Sequence, residues 1–120
     1  MADNKDYISR TEAEGSVNIS EDVISTIAVE AIKEIEGVGG IGSVTRREMT
    51  KKNTVRGVRI TISEEQVTVD AVILVANGFS VTETARQVQS SVTKAVGDMT
   101  GLNVTAVNVT VSGIVFDKEK

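Results

Sequence analysis

Three glycines at the end of the first third of the chain have the spacing of a dinucleotide-binding motif. Gly37, Gly39 and Gly42 fit the pattern G-x-G-x-x-G, and two carboxylates, Glu64 and Glu65, follow about 20 residues further on. In a dinucleotide site the glycines let the backbone approach the pyrophosphate, and the acidic residue binds the ribose. Such a site needs a strand before the glycines and a helix after them, because the phosphate lies on the amide end of that helix.

The elements predicted around these glycines have the reverse order. Residues 21 to 36 carry apolar side chains at helical spacing, and Ser20 is a good N-cap because its hydroxyl can accept an unpaired backbone N–H. The helix therefore runs into Gly37 and presents its negative C-terminal end to the motif. We interpret the glycines as left-handed C-cap and turn residues, and we predict no cofactor.

The residue inventory excludes many kinds of catalysis. The 120-residue chain has no His and no Cys, which excludes a His-assisted nucleophile, thiolate chemistry, a disulfide and a zinc site of the usual kind. The best-placed carboxylate is Asp70, within a predicted strand, but the pattern brings neither Lys nor Tyr near it. We interpret Asp70 as an outward-facing residue of a half-polar strand. The prediction is a non-enzymatic protein with no catalytic residue and no metal site.

A basic segment is the strongest outlier in an acidic chain. Residues 46 to 59 hold six of the thirteen Lys and Arg, although the formal net charge is -4. This segment could bind phosphate, an anionic membrane surface or an acidic partner, and a solvated loop is the alternative. It has no aromatic residue to stack on a base, so nucleic acid is an unfavoured partner. The candidate interaction residues here are Arg46, Arg47, Lys51, Lys52 and Arg56.

The apolar periodicity predicts a single α+β fold. Alternation over 57 to 63 and 67 to 76 predicts an antiparallel hairpin, and helical spacing over 81 to 99 follows a capping box at Ser80 and Glu83. A last strand at about 102 to 116 changes parity near Ala106, which predicts either a bulge there or a strand buried on both faces. We predict a small mixed β-sheet, in which this hairpin joins a right-handed βαβ crossover, with two helices packed on one face.

Two further predictions concern the limits of the domain and a contact surface. Residues 1 to 14 are polar and predict a flexible N-terminal tail, residues 15 to 117 one domain, and residues 118 to 120 a C-terminal tail. The second half of the strand at 67 to 76 is apolar on both faces, so it is covered twice or contacts another chain. Val72, Leu74 and, on the last strand, Asn108 and Thr110 are the candidate contact residues. Whether the loop at 43 to 56 is ordered stays open.

Most of the chain resembles the alkaline shock protein family, also called the envelope stress response proteins. The similar stretches are G-S-V-N-I-S-E-D-V-I-S-T-I-A with E-I-E-G-V-G, then V-T-V-D-A-V-I-L-V-A-N-G, V-Q-S-S-V-T-K-A-V and M-T-G-L-N-V-T-A-V-N-V-T-V-S-G-I-V-F. They cover about residues 14 to 117 in the same order as in that family. The most specific elements are Gly78, Gln89, Val92, Gly101, Leu102, Val107, Asn108, Val109 and Gly113. They form a fold signature without a catalytic residue.

The resemblance implies a role in the cell envelope. It implies a cytosolic protein of Gram-positive-type bacteria, without known enzymatic activity, that acts in the envelope stress response and in envelope homeostasis. It also implies self-assembly, or attachment to the inner face of the membrane through a small anchor protein, and no small-molecule substrate. The alternative is a regulatory binding protein that acts on enzymes of fatty-acid or lipid synthesis.

Overall fold

The computed structural model describes residues 7–12, 14–42, 54–55, 57–64 and 66–116. The described elements are β1 (Tyr7–Glu12), β2 (Gly15–Ser20), α1 (Glu21–Lys33), β3 (Val38–Ile41), β4 (Thr54–Val55), β5 (Val58–Ser63), β6 (Gln66–Ala76), α2 (Val81–Thr100) and β7 (Asn103–Val115). They form an α+β fold with a mixed sheet and two helices, as the sequence predicts.

Strand β6 is the centre of the main sheet. β7 lies parallel to it along one edge, from Gln66 opposite Asn103 to Ala76 opposite Val115. The other edge of β6 pairs with two antiparallel strands, β5 along its first half and β3 along its second half. The short strand β4 pairs with the outer edge of β5. The predicted hairpin and the predicted crossover with parallel outer strands are both confirmed.

Strands β3 and β5 lie end to end along the same edge of β6. Both run antiparallel to β6, and they meet opposite Val72. The Gly42 N–H donates to the Val72 carbonyl at 2.7 Å, and the Val72 N–H donates to the Gly57 carbonyl at 2.8 Å. The chain therefore leaves β6 after Gly42 and rejoins it at Gly57, beside the same residue of β6.

Both helices pack on one face of this sheet. Every second residue of β6 faces the helices and is at most 1% exposed. This is the pattern of a strand with one buried face, because successive side chains of a strand point to opposite sides. The inward residues are Val67, Val69, Ala71, Ile73 and Val75. Across from them, the helices bury a stripe that recurs every three to four residues. Its most buried apolar members are Ile24, Ala28 and Ile32 of α1 and Val88, Val92 and Val96 of α2.

The predicted helix starts and the predicted bulge are confirmed. The Ser20 hydroxyl accepts the Val23 N–H at 3.3 Å, and the Ser80 hydroxyl accepts the Glu83 N–H at 3.1 Å. The β6–β7 register shifts at Thr105, next to Ala106. A second shift at Ser112 has no signal in the apolar alternation of the sequence. With these two bulges, five apolar residues of β7 pair with the inward residues of β6, namely Val104, Val107, Val109, Val111 and Ile114.

The left-handed C-cap predicted at Gly37 is wrong. Helix α1 ends at Lys33, and its C-cap is Glu34 with a right-handed backbone at φ −82°. Gly37 does not have a positive φ. It is buried instead, and a Cβ there would overlap the Thr84 hydroxyl and lie 3.1 Å from the Phe79 ring. Close packing against the start of α2, rather than backbone conformation, explains this glycine.

Part of the predicted N-terminal tail is regular structure. Tyr7–Glu12 form β1, which pairs antiparallel with β2 in a two-stranded ribbon. The tail prediction is wrong for these residues because backbone pairing with β2 needs no apolar periodicity. Residues 1 to 6 and 118 to 120 lie outside the described residues.

Candidate functional site

The candidate site is the side of the main sheet that faces away from the helices, which we call the open face. Its central residues are the even-numbered ones of β6: Thr68, Asp70, Val72, Leu74 and Ala76. All are partly exposed, whereas the residues between them are buried under the helices. Neither α1 nor α2 reaches this side of the sheet, because both helices pack against the opposite face.

One half of the open face is polar. Arg59 of β5, Asp70 of β6 and Asn108 of β7 lie in register across three strands. The Asn108 Nδ2 donates to the Asp70 Oδ1 at 2.8 Å. Asp70 thus lies on the outward side of its strand, as predicted, and its carboxylate is held by an amide rather than aligned on a nucleophile. The arrangement is a cross-strand polar row without the parts of a catalytic group.

The other half of the open face is apolar, and two of its positions are glycines without side chains. Leu74 lies in register between Gly40 of β3 and Gly113 of β7. Its two δ-methyls lie 3.4 Å and 3.2 Å from the positions that a Cβ of Gly40 and of Gly113 would occupy. The Leu74 side chain therefore spreads over both glycines. We call Val72, Leu74, Ala76 and Val115, with these two glycines, the apolar patch.

The structure brings together the four candidate residues that it describes. Val72 lies opposite Thr110, and Asp70 lies opposite Asn108, so Val72, Leu74, Asn108 and Thr110 share the open face. Their role in a contact stays a prediction. The basic candidates Arg46, Arg47, Lys51, Lys52 and Arg56 lie outside the described residues.

The glycines of the dinucleotide-like motif serve strand packing. Gly39 lies in β3 and Gly42 follows it, and the next described elements after them are strands. A Cβ on Gly42 would lie 2.7 Å from Val72 Cγ1 and 2.9 Å from Ser112 Oγ, and one on Gly39 would lie 3.0 Å from Val115 Cβ. Neighbouring side chains therefore pack directly against these two glycines. Glu64, the other half of the motif, has φ 59° in the β5–β6 turn.

Two kinds of feature are absent from the described ranges. No three Asp or Glu side chains in them form a group that could hold a metal ion. None of the helices there is both long enough and apolar enough to cross a membrane.

Two features of the structure are absent from the sequence predictions. They are the glycines on either side of Leu74 and a hydrogen bond between α2 and β7. A glycine within a strand pattern, such as Gly113 in the predicted last strand, is a known signal of close approach and could have marked the patch. Gln89 lies outside the apolar stripe of α2, yet its Nε2 donates to the Val107 carbonyl at 3.1 Å. That bond fixes the helix over β7. No local pattern reveals it, because the two residues are joined only by the fold.

Known proteins are similar to this chain over most of its length. A sequence model of the alkaline shock protein family, described as having a cell envelope-related function, matches residues 9–116. The uncharacterized protein YqhY of Bacillus subtilis is 30% identical over 107 residues, covering 86% of this chain and 79% of that protein. The uncharacterized protein YloU of the same organism is 32% identical over 106 residues, covering 83% and 88%.

Matches also occur outside Bacillus. The uncharacterized protein Spy1535 of Streptococcus pyogenes is 31% identical over 110 residues, covering 90% of this chain and 85% of that protein. Among solved structures, the MamM CTD is similar at a TM-score of 0.49 and 18% identity, covering 77% of this chain and 93% of that one.

Proposed function

Because this chain belongs to the alkaline shock protein family, with its cell envelope-related function, we propose that it is a non-enzymatic assembling or adaptor domain of the envelope stress response. It acts in envelope homeostasis at the inner face of the membrane, where it associates with further copies of itself and with a membrane-anchored partner. The relatives in Bacillus and Streptococcus agree with a protein of Gram-positive bacteria.

The apolar patch on the open face is the observation that supports assembly. Two sheets pack face to face when their side chains can interdigitate, and residues with short side chains let two backbones approach closely. Leu74 is flanked by glycine on both neighbouring strands, so neither strand adds a side chain directly beside it that would hold a second sheet away. An apolar sheet face is also a costly surface to leave in water, at roughly 25 cal/mol for each Å².

The polar row supports register in such a contact. Asp70 lies two residues before Val72 on β6, and Asn108 lies opposite Asp70 on β7. Both are therefore at the border of the apolar patch. Polar groups that surround an apolar centre are the usual arrangement of a protein interface, and they disfavour sliding of one sheet over the other. In this proposal the apolar patch provides the affinity, and Asn108 and Thr110 help to set the orientation.

Sedimentation velocity of the purified chain at micromolar concentration tests the assembly. We expect species larger than a monomer, and we expect Leu74→Glu to shift them towards the monomer because a charge in a dry interface is costly. The matched control is Val17→Glu, which changes a valine that is 49% exposed on β2, a strand that pairs with β1 outside the main sheet. A monomeric wild type, or equal effects of both variants, would contradict the proposal.

Recovery of partners from a native lysate separates this function from its alternative. The tagged chain is expected to retain a membrane-anchored envelope protein, and Leu74→Glu to retain less of it. Recovery of an enzyme of fatty-acid synthesis instead would favour the regulatory alternative.

A further inference from the structure

A second surface lies on the opposite side of the molecule, in the groove between the two helices. Its volume is about 640 Å³. The apolar residues that line it, which we call its apolar floor, are Ile27 and Ala31 of α1, Ile35 just beyond the end of α1, and Ala95 and Met99 of α2. The residues on each side recur every four positions, so they align along the helix axis. Met99 is 71% exposed and extends the apolar lining of the groove to the surface.

The rim of this groove is acidic. Glu30, Glu34 and Asp98 border it, and the one basic residue among the described residues that line it, Lys94, donates to Asp98 at 3.1 Å. Glu30 also has an ion pair with Lys33 at 3.7 Å, although both side chains are more than half exposed. Exposed pairs of this kind contribute little and exchange readily for other partners. An apolar floor with carboxylates along its edges fits a ligand with an apolar centre and basic flanks.

The chain itself contains a segment of that chemistry. Residues 43 to 56 carry five basic residues and one acidic residue, and Met49 lies between the pair Arg46 and Arg47 and the pair Lys51 and Lys52. The chain outside 46 to 59 has seven basic and sixteen acidic residues, so charge is strongly segregated within one molecule. The residues that border the segment, Gly42 and Gly57, are held side by side on β6.

From this complementarity we propose that the groove between α1 and α2 binds the basic segment 43–56 of a second copy of the chain. Met49 occupies the apolar floor, and the flanking Arg and Lys side chains contact Glu30, Glu34 and Asp98. The proposal rests on the assembling function above and adds a second, different contact to it. Because the groove and the segment are different patches, the contact is heterologous and can propagate from copy to copy.

Binding of a synthetic peptide tests the groove directly. The probe is a labelled peptide with the sequence of residues 43 to 56, titrated with the full-length chain and followed by fluorescence anisotropy. We expect binding that weakens with salt, and a loss of affinity of about tenfold or more in Glu30→Lys/Glu34→Lys. The control Glu14→Lys/Glu36→Lys makes the same change of net charge at exposed residues outside the groove. No binding to the wild type, or equal losses in both variants, would overturn the proposal.

Mixing of charge-reversed variants tests whether the contact joins two copies. Glu30→Lys/Glu34→Lys and Arg46→Glu/Arg47→Glu should each reduce the larger species in sedimentation velocity, and an equimolar mixture should restore them. Absence of restoration would overturn a contact between copies. Circular dichroism of each variant verifies that it is folded.

The open-face variant keeps the two contacts distinguishable. Leu74→Glu lies on the far side of the sheet and should bind the peptide as the wild type does. If Leu74→Glu abolishes assembly while the peptide binds no variant, the function proposed above stands and the groove contact fails. If the peptide binds and Leu74→Glu changes nothing, the groove contact stands and the open-face contact fails.

Discussion

The two sides of β6 consist of alternate residues of one strand, yet they differ in what covers them. Ile73 and Val75 are completely buried under the helices, whereas Leu74 between them is only partly buried and lies over two glycines. The helix side follows the rule for a protein core, where large side chains fill the space between layers. The open face has an apolar centre but short neighbours, an arrangement that favours contact with another surface. An apolar residue on this strand is therefore not always a core residue.

The largest expected difference between the two sides comes from truncating neighbouring residues of β6. Ile73→Ala should lower the free energy of unfolding by about 2–5 kcal/mol, because it leaves a cavity under the helices. Leu74→Ala should cost about 1 kcal/mol or less, since its side chain is already partly in water. Urea unfolding followed by circular dichroism measures both. Equal costs would show that the open face is as much a core as the helix side.

Protein concentration sharpens this first comparison. If Leu74 contributes to an interface, the wild-type unfolding midpoint rises with concentration, because association stabilises the folded state. That rise should shrink in Leu74→Ala. A rise that is the same in both proteins would argue against an interface at Leu74.

Two glycines of one segment give a smaller difference. Gly37→Ala should lower the free energy of unfolding by about 1–3 kcal/mol, because the added methyl overlaps the buried Thr84 of α2. Gly40→Ala should change it by less than about 0.5 kcal/mol, because its methyl would meet Leu74 at an ordinary contact distance of 3.4 Å on the open face. Thermal unfolding of both variants provides the check. A large loss in Gly40→Ala would mean that the open face is packed more tightly than the contact distances indicate.

The smallest difference is expected from one hydrogen bond on each side of the sheet. Gln89→Leu removes the bond from α2 to the Val107 carbonyl, which is partly buried, and should cost about 1 kcal/mol. Asn108→Ala removes the exposed bond to Asp70 and should cost less than about 0.5 kcal/mol. Urea unfolding at low protein concentration separates these effects from association. A larger loss of stability in Asn108→Ala than in Gln89→Leu would contradict a role of the Gln89 hydrogen bond in holding α2 on the sheet.

Much of the fold could be predicted from the sequence because its elements carry local signals. The capping serines Ser20 and Ser80 mark where the helices begin, and the alternation along β5 and β6 fixes which residues face the core. The parity change before Val107 predicts the bulge at Thr105. In each case the physical cause lies within a few residues of the effect, so a single chain segment is sufficient to reveal it.

The candidate site was predictable only in part. The excess of apolar residues in the second half of β6 indicated Val72 and Leu74, and periodicity placed them on the side away from Ile73. The glycine neighbours of Leu74 come from β3 and β7, which are far apart in the chain. Which residues flank a side chain across a sheet depends on strand register, and no local pattern encodes the register of β3.

The sequence by itself determined the amphipathic elements, the absence of His and Cys chemistry, the separation of basic from acidic residues and the family resemblance. These are properties of composition and short-range order. Only the tertiary structure decided that Gly39 and Gly40 lie in a strand, that β3 and β5 share one edge of β6, and that Leu74 lies between Gly40 and Gly113. The reason is that a position can require glycine either because its backbone is left-handed or because a neighbouring group lies too close for a side chain. Which one applies at Gly37 depends on Thr84, a residue that only folding brings beside it.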